Sequence, residues 1–197
     1  MVNTVEQALA FARGQATRPS RDWTGYCQMF VRTSYGIGGG FGSAWLQWLG
    51  LGDDERVAGG NPSAAPLGAP LFYKGSGPYG HVTLAARPLA DGTPGCWSND
   101  LVTPGRIHHV ARTRATSQWG QQYLGYGLSL NGVDLPLVVP GATPRPQRRR
   151  YEAIAAAADR LEVALATARR QEDRRDVDRL ERQVRHLRRM HQQMRRA

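Results

Sequence analysis

The sequence predicts an α+β domain, helices first and strands second, followed by a helical C-terminal extension of coiled-coil character. Three observations predict this. Glycine and proline supply 23 and 12 of the 197 residues while 41 % of residues are apolar, enough for a core but too interrupted for a helical bundle. Apolar residues recur at helical spacing early in the chain, then give way after Pro66 to short β-favouring runs. Beyond Arg148 the three-four spacing returns in an arginine-rich background.

The first expected helix is Thr4 to Gln15. Thr4 and Gln7 have capping-box spacing, and Val5, Ala8, Leu9 and Ala12 share a face. The run RPSRD breaks it. A second helix should begin near Tyr26, place Cys27 at its front, bury Phe30, Val31 and Tyr35, and stop at Gly36. GIGGGFG reads as a flexible loop, and SAWLQWLGLG as a short apolar helix ended by glycine. LGAPLFYKG, GHVTLAA, GCWSND and GRIHHVA read as strands of an antiparallel meander. SQWGQQYLGYGLSLNGVDLP closes the domain with aromatics and a turn at Asn131-Gly132. Residues 1–138 thus form one compact domain, 139–147 a Pro-rich linker, and 148–197 a basic helical tail. In the tail, Tyr151, Ile154, Ala158, Leu161, Leu165 and Ala168 make one seam. Val177, Leu180, Val184, Leu187, His191 and Met194 make a second, out of phase with the first. The stretch RRQEDRRD between them is either a coiled-coil discontinuity or the bend of a helical hairpin.

Charge is segregated. Of 26 basic and 16 acidic residues, 16 arginines and 8 acids lie between Arg145 and Ala197, which carries +8 of the net +10. The main domain is therefore nearly neutral, and its composition gives no reason to expect a nucleic-acid surface. Interspersed acids and few aromatics argue against nucleic acid as the tail's partner too. Anionic wall polymers or lipid head groups suit the tail better, as does self-association or contact with other proteins through its apolar seams. No run approaches the roughly 18–20 apolar residues of a membrane span. The N-terminal MVNTVEQALAFARGQ lacks the basic head and apolar core of a secretory signal.

Two cysteines, Cys27 and Cys96, are too few for a disulfide framework, though one bridge stays possible. A thiol at a helix start is favoured as thiolate, because the N-terminal positive potential lowers its pKa. Cys27 is expected there. His81, in the GHV that opens a strand, is the residue type best suited to take a proton near neutral pH. Asp100, or alternatively Asn99 or Ser98 in WSND, could hold the second imidazole nitrogen. In a strand Ser98 and Asp100 would share a face and Asn99 would point away. The Cys27 N–H is a natural oxyanion donor. No cofactor is indicated. A metal is not either: His108 and His109 are adjacent and diverge on a strand, and no CxxC or HxxxH spacing exists. GIGGGFG lacks the ending of a phosphate loop. Trp119, Tyr123 and Tyr126 read as core ahead of a sugar platform.

Together WTGYCQMFVRTSYGI, LGAPLFY, GHVTLAA, WSND and WGQQYLGYGLSLNGVDLP resemble the CHAP and NlpC-type cysteine peptidases, as found in lysins of actinobacterial phages, over roughly Thr4 to Pro136. The resemblance implies a papain-like core and a peptidoglycan hydrolase, either an N-acetylmuramoyl-L-alanine amidase or a stem-peptide endopeptidase. Cys27 would be nucleophile, His81 general base and acid, and Asp100 the orienting residue. Such a protein, made without a leader, would reach the wall on lysis or on a virion. The competing expectation is a virion structural protein that keeps this fold for assembly, with its helical tail for oligomerisation.

Overall fold

The structure, a computed structural model, describes residues 2–138, 150–170 and 174–196. The segment expected as linker, 139–147, lies outside them. Helix α1 (Val5–Thr17) opens on the expected capping box: Thr4 Oγ1 accepts the Gln7 N–H, and the Gln7 side chain accepts the Thr4 N–H at 2.8 Å. Helices α2 (Cys27–Ser34) and α3 (Ala44–Gly50) follow, the latter capped by Ser43, whose hydroxyl accepts the Leu46 N–H.

The strands are β1 (Arg56–Ala58), β2 (Pro70–Lys74), β3 (His81–Ala85), β4 (Gly95–Asn99), β5 (Ile107–Ala111) and β6 (Gln122–Gly127), with helix α4 (Arg114–Trp119) before the last. All pair antiparallel in the order β1-β6-β2-β3-β4-β5. The meander expected from β2 to β5 is present, and β6 returns to the free edge of β2. Neither β1 nor α4 was expected. RVA is too short to show a period, and RATSQW offers little apolar spacing. A small hairpin of β7 (Ser129–Leu130) and β8 (Val133–Asp134) turns through Asn131 and Gly132, both at positive φ (51° and 73°), the backbone a two-residue hairpin turn demands.

Side chains alternate across the sheet. Phe72, Val82 and Leu84 face α1 and α2, packing with Ala8, Ala12, Phe30 and Val31. Leu71, Tyr73, Ala85, Cys96 and Val110 face the other way, toward Ala115 of α4. The GIGGGFG loop is anchored through Asn131, whose side chain accepts from Phe41 N–H and donates to Gly38 O at 2.9 Å. A side chain at Gly40 would collide with that amide, a local reason for glycine here. Arg112 is buried and donates to the carbonyls of Gly95, Pro62, Ala65 and Ala86 at 2.8–3.1 Å. It gathers the carbonyls of three separate chain segments onto one guanidinium, adding a donor to Gly95 O and Pro62 O, which also accept the Ala86 and Ala65 N–H groups.

Helices α5 (Arg150–Arg170) and α6 (Arg174–Arg196) pack against each other along their length; residues 171–173 of the expected break lie outside the described residues. Leu161 and Leu165 pack with Leu180 and Leu187. Arg188 spans the pair to Glu162 at 3.0 Å and also meets Asp159. The hairpin is seated on the first domain. Phe41 and Leu46 join its apolar cluster. Arg160 donates to Gly50 O and to the buried carboxylate of Glu55 at 3.0 Å, and Gln183 reaches the Gly42 N–H. No helix of the described residues is long and apolar enough to cross a membrane.

Two substitutions test these clamps by denaturant unfolding. Arg112→Leu strands several buried carbonyls and should cost about 3 kcal/mol. Arg160→Ala leaves Glu55 with its Gly52 N–H and Ser129 partners, so a smaller loss, about 1–2 kcal/mol, is expected. An unchanged midpoint in either variant would refute the corresponding clamp.

Candidate active site

The loop that delivers Cys27 is built from short-range hydrogen bonds. Asp22 accepts the Thr24 N–H at 2.8 Å and its hydroxyl at 2.7 Å, bonds that hold the Asp22 carboxyl below its ordinary value. Gly25 then turns with φ 71° and Tyr26 enters α2, so Cys27 is the first helical residue. As expected, the thiol sits at a helix start. It is only 8 % exposed and packs against Val82 in the apolar layer beneath α2. The backbone N–H groups of Val82, Gln28 and Cys27 itself favour the thiolate. Burial opposes them and is the larger effect; with some help from the Asp100 charge it pushes the thiol up to about 11. Cys96 is wholly buried and is pushed up to about 12 by the same cause. Both cysteines are free.

His81 opens β3 beside that thiol. Alternation turns Val82 toward α2 and sends the His81 ring to the other side of the sheet. There it meets Trp119 edge-on at 5.1 Å and lies 6.5 Å from the Tyr73 ring. Its Nε2 is 2.8 Å from the Ser98 hydroxyl. Ser98 has one proton, and that proton has a carbonyl to go to, Asn99 O at 3.1 Å. The hydroxyl oxygen then accepts Nε2–H, which leaves the lone pair on Nδ1. That is the tautomer a general base needs. Burial holds the imidazole neutral, down to about 4.

The WSND residues separate into two tasks. Ser98 holds the histidine. Asn99 and Asp100 hold the loop ahead of the cysteine: Asn99 Nδ2 donates to Trp23 O at 2.8 Å, and Asp100 Oδ2 accepts the Gly25 N–H at 2.9 Å. Asp100 Oδ1 accepts the Gly105 N–H at 2.7 Å. Asp100 does not continue the strand. It stands at φ 64°, in the left-handed region that Asp tolerates better than most residues, so the expectation that it shares a strand face with Ser98 fails. The structure thus brings Ser98 to His81, and Asp100 to the cysteine loop. The thiol's hydrogen bonds run to backbone amides and the imidazole's to Ser98, with thiol and ring on either side of the first residues of β3.

Sequence reasoning missed several neighbours. Gln28, Gln47 and Asn131 form a buried amide cluster behind Cys27, with Gln47 Oε1 accepting the Asn131 N–H at 3.2 Å. Gly80, at φ 64°, lets Trp45 lie against the backbone just ahead of His81, and a side chain there would crowd Tyr73 O and Trp45. Trp119, read as core, is 39 % exposed, while Tyr123 and Tyr126 are half-buried. Among the described residues no group of three or more His, Cys, Asp or Glu side chains is placed to hold a metal ion. Scans against family models, curated proteins and solved structures each returned no match.

A neutral buried histidine makes stability depend on pH with a definite sign. The unfolded chain binds a proton below about 6.5, and the folded one only near 4. Stability is therefore intact above pH 6.5 and falls as pH drops toward 4, by at most about 3 kcal/mol from this group. His81→Gln should flatten that part of the curve. Identical acid profiles for both proteins would contradict the buried neutral imidazole.

Proposed function

We propose that the chain is a cysteine-dependent peptidoglycan hydrolase, an amidase or stem-peptide endopeptidase, with Cys27 as nucleophile and His81 as base and acid. The observation that carries this reading is a thiol at a helix start, fed by three backbone N–H groups, lying one residue along β3 from a histidine whose Nε2 is held by Ser98. That pattern supplies the parts nucleophilic catalysis requires: an electropositive seat for sulfur, a base with a free lone pair, and a group that fixes the base. On this reading Ser98 is the orienting residue and Asp100 positions the nucleophile's loop.

The resting pair is neutral, so the mechanism needs a concerted start. The described His81 ring lies on the Ser98 side of β3, away from the thiol, so this reading requires the ring to turn past Gly80 before Nδ1 can take the Cys27 proton as sulfur attacks the scissile carbonyl. The Cys27 N–H, at the helix end, receives the developing oxyanion. The imidazolium then gives its proton to the leaving amine. Water enters with His81 again as base and releases the acyl group. The basic hairpin would supply attraction to anionic wall polymers or lipid head groups, weakening with salt as the Debye length falls from about 10 Å at 0.1 M to about 3 Å at 1 M.

A second reading draws on the burial itself. A thiol held up near 11 and an imidazole held down near 4 equally suit a virion assembly protein that retains the fold and uses the helical hairpin for contacts. Clearing of actinobacterial cell walls separates the two. For the enzyme, Cys27→Ala should abolish clearing, and His81→Ala should slow it by at least about a hundredfold, with both variants folded by circular dichroism. Ser98→Ala should retain part of the rate and change its pH profile. Iodoacetamide should label Cys27 well before Cys96. Undiminished clearing by Cys27→Ala, or no clearing by the unaltered chain, would overturn the hydrolase and leave the assembly role.

A further inference from the structure

A cavity of about 320 Å³ lies between α1 and the strands β4 and β5. Helix α1 supplies one wall through Glu6, Leu9, Ala10 and Arg13. These positions are spaced i, i+3, i+4 and i+7, one stripe of the helix, about 10 Å long. Trp97 of β4 and His109 of β5 supply the other wall, and Ala86 and Arg87, just past the end of β3, complete it. Cys27 packs against Val82, near the start of β3. Ala86 lies four residues further along, about 13 Å of extended chain. None of the residues assigned to the Cys27 site lines this cavity.

Its aromatic wall is held in place. Trp97 and His109 stack with ring centroids 4.7 Å apart and planes 26° from parallel. His109 Nε2 is 3.0 Å from Arg87 O. A carbonyl only accepts, so Nε2 carries the proton and the ring is tethered. A side chain at Gly95 would collide with both that carbonyl and that nitrogen, so glycine there leaves room for the tether. An ordered stacking face loses little conformational entropy when a ligand meets it.

Donors outnumber acceptors around the cavity. Arg87 gives Nη2 to the Glu6 carboxylate at 2.7 Å, and both side chains of that pair are exposed. Among the described residues nothing accepts from the rest of the Arg87 fork, from the Arg13 guanidinium or from the Trp97 indole N–H. Two arginines against one carboxylate leave the lining positive. A bare inorganic anion would use these donors but leave the apolar wall of Leu9, Ala10 and Ala86 uncovered. A neutral apolar molecule would cover that wall and leave the donors unused. An aromatic carboxylate satisfies both, its ring against the apolar and aromatic walls and its carboxylate on the arginines, where charge-assisted hydrogen bonds are strongest. The length of the helix stripe suits a bicyclic ring on a short carboxylate arm.

We propose that this cavity binds a small aromatic carboxylate, with Arg13 and Arg87 as its anion anchors and the Trp97–His109 pair as its stacking face. The site is separate from the hydrolase reading and does not depend on it.

The test is a titration of the full chain with indole-3-propionate, followed by the NMR shift of the Trp97 indole N–H. Saturable binding with a Kd of about 1 mM or tighter is expected. Indole-3-propionamide, the uncharged counterpart, should bind at least about fivefold more weakly, and inorganic phosphate should not saturate the same signal. Arg13→Gln and Arg87→Gln should each weaken binding by about three- to tenfold. Both residues are exposed, so both variants should fold. Ala10→Phe, at an exposed position of α1, should fill the cavity and abolish binding without unfolding the chain. No saturable shift with the unaltered chain would overturn the site. Equal binding of acid and amide, or binding indifferent to both arginine variants, would overturn the anion anchors and with them the proposal. Undiminished binding by Ala10→Phe would place the ligand elsewhere and do the same, as would phosphate binding as tightly as indole-3-propionate. None of these readouts involves wall clearing, so loss of the hydrolase reading would leave the result standing.

Discussion

Residues Ser98, Asn99 and Asp100, at the end of β4, tie the two halves of the candidate site together. One side chain grips His81, and the next two grip the loop from Trp23 to Gly25. The geometry is economical because β4 stops at Asn99. Ser98 is still in the pleat and points across the sheet, Asn99 turns toward Trp23, and Asp100, released into the left-handed region, can reach two backbone N–H groups at once. A carboxylate that accepts from backbone amides this way is a structural brace. Its charge also bears on the sulfur, raising the thiol slightly, so the brace works against ionisation.

The site is a contest between burial and polarity. The start of α2 and three backbone amides favour a thiolate, yet desolvation wins and leaves sulfur protonated. The same desolvation leaves His81 neutral. Such a pair differs from a preformed thiolate–imidazolium ion pair. On the proposed hydrolase reading a proton would have to move during attack on the acyl carbonyl, in a low dielectric that suppresses charge at rest and strengthens nearby hydrogen-bond donors. Ser98 suits this arrangement: a neutral hydroxyl fixes the tautomer without charging the ring in advance.

Much of the fold was legible in the sequence because local rules wrote it. Thr4 and Gln7 announced α1, Asn131-Gly132 announced a hairpin turn, and short β-favouring runs split by Gly, Pro and Asp announced β2 to β5. What was not legible depended on partners far along the chain. β1 is three residues whose only ladder lies some seventy positions later, at β6. Arg112, exposed by any composition rule, is buried because loops around residues 62–65, 86 and 95 converge on it. At the site, the residue types and their order pointed to Cys27 and His81. The division of labour within WSND could not be read, because it turns on where β4 ends. The exposure of Trp119 was likewise hidden: α4, the helix that carries it, has no clear apolar period.

The insertion of β6 between β1 and β2 has a consequence for how the chain acquires its shape. As the polypeptide emerges from the ribosome, the β2–β5 meander and the helices laid on it can form from what is already available. β1 cannot, since its neighbour has not been made. Asn131, which fastens the GIGGGFG loop, and the hairpin that covers Phe41 and Leu46 arrive later still. The contacts available early are therefore local, while the closing ones join positions some seventy residues apart. A nascent chain arrested before β6 would carry the thiol and the histidine on an unfinished sheet, with its edge at β2 open to pairing with other chains.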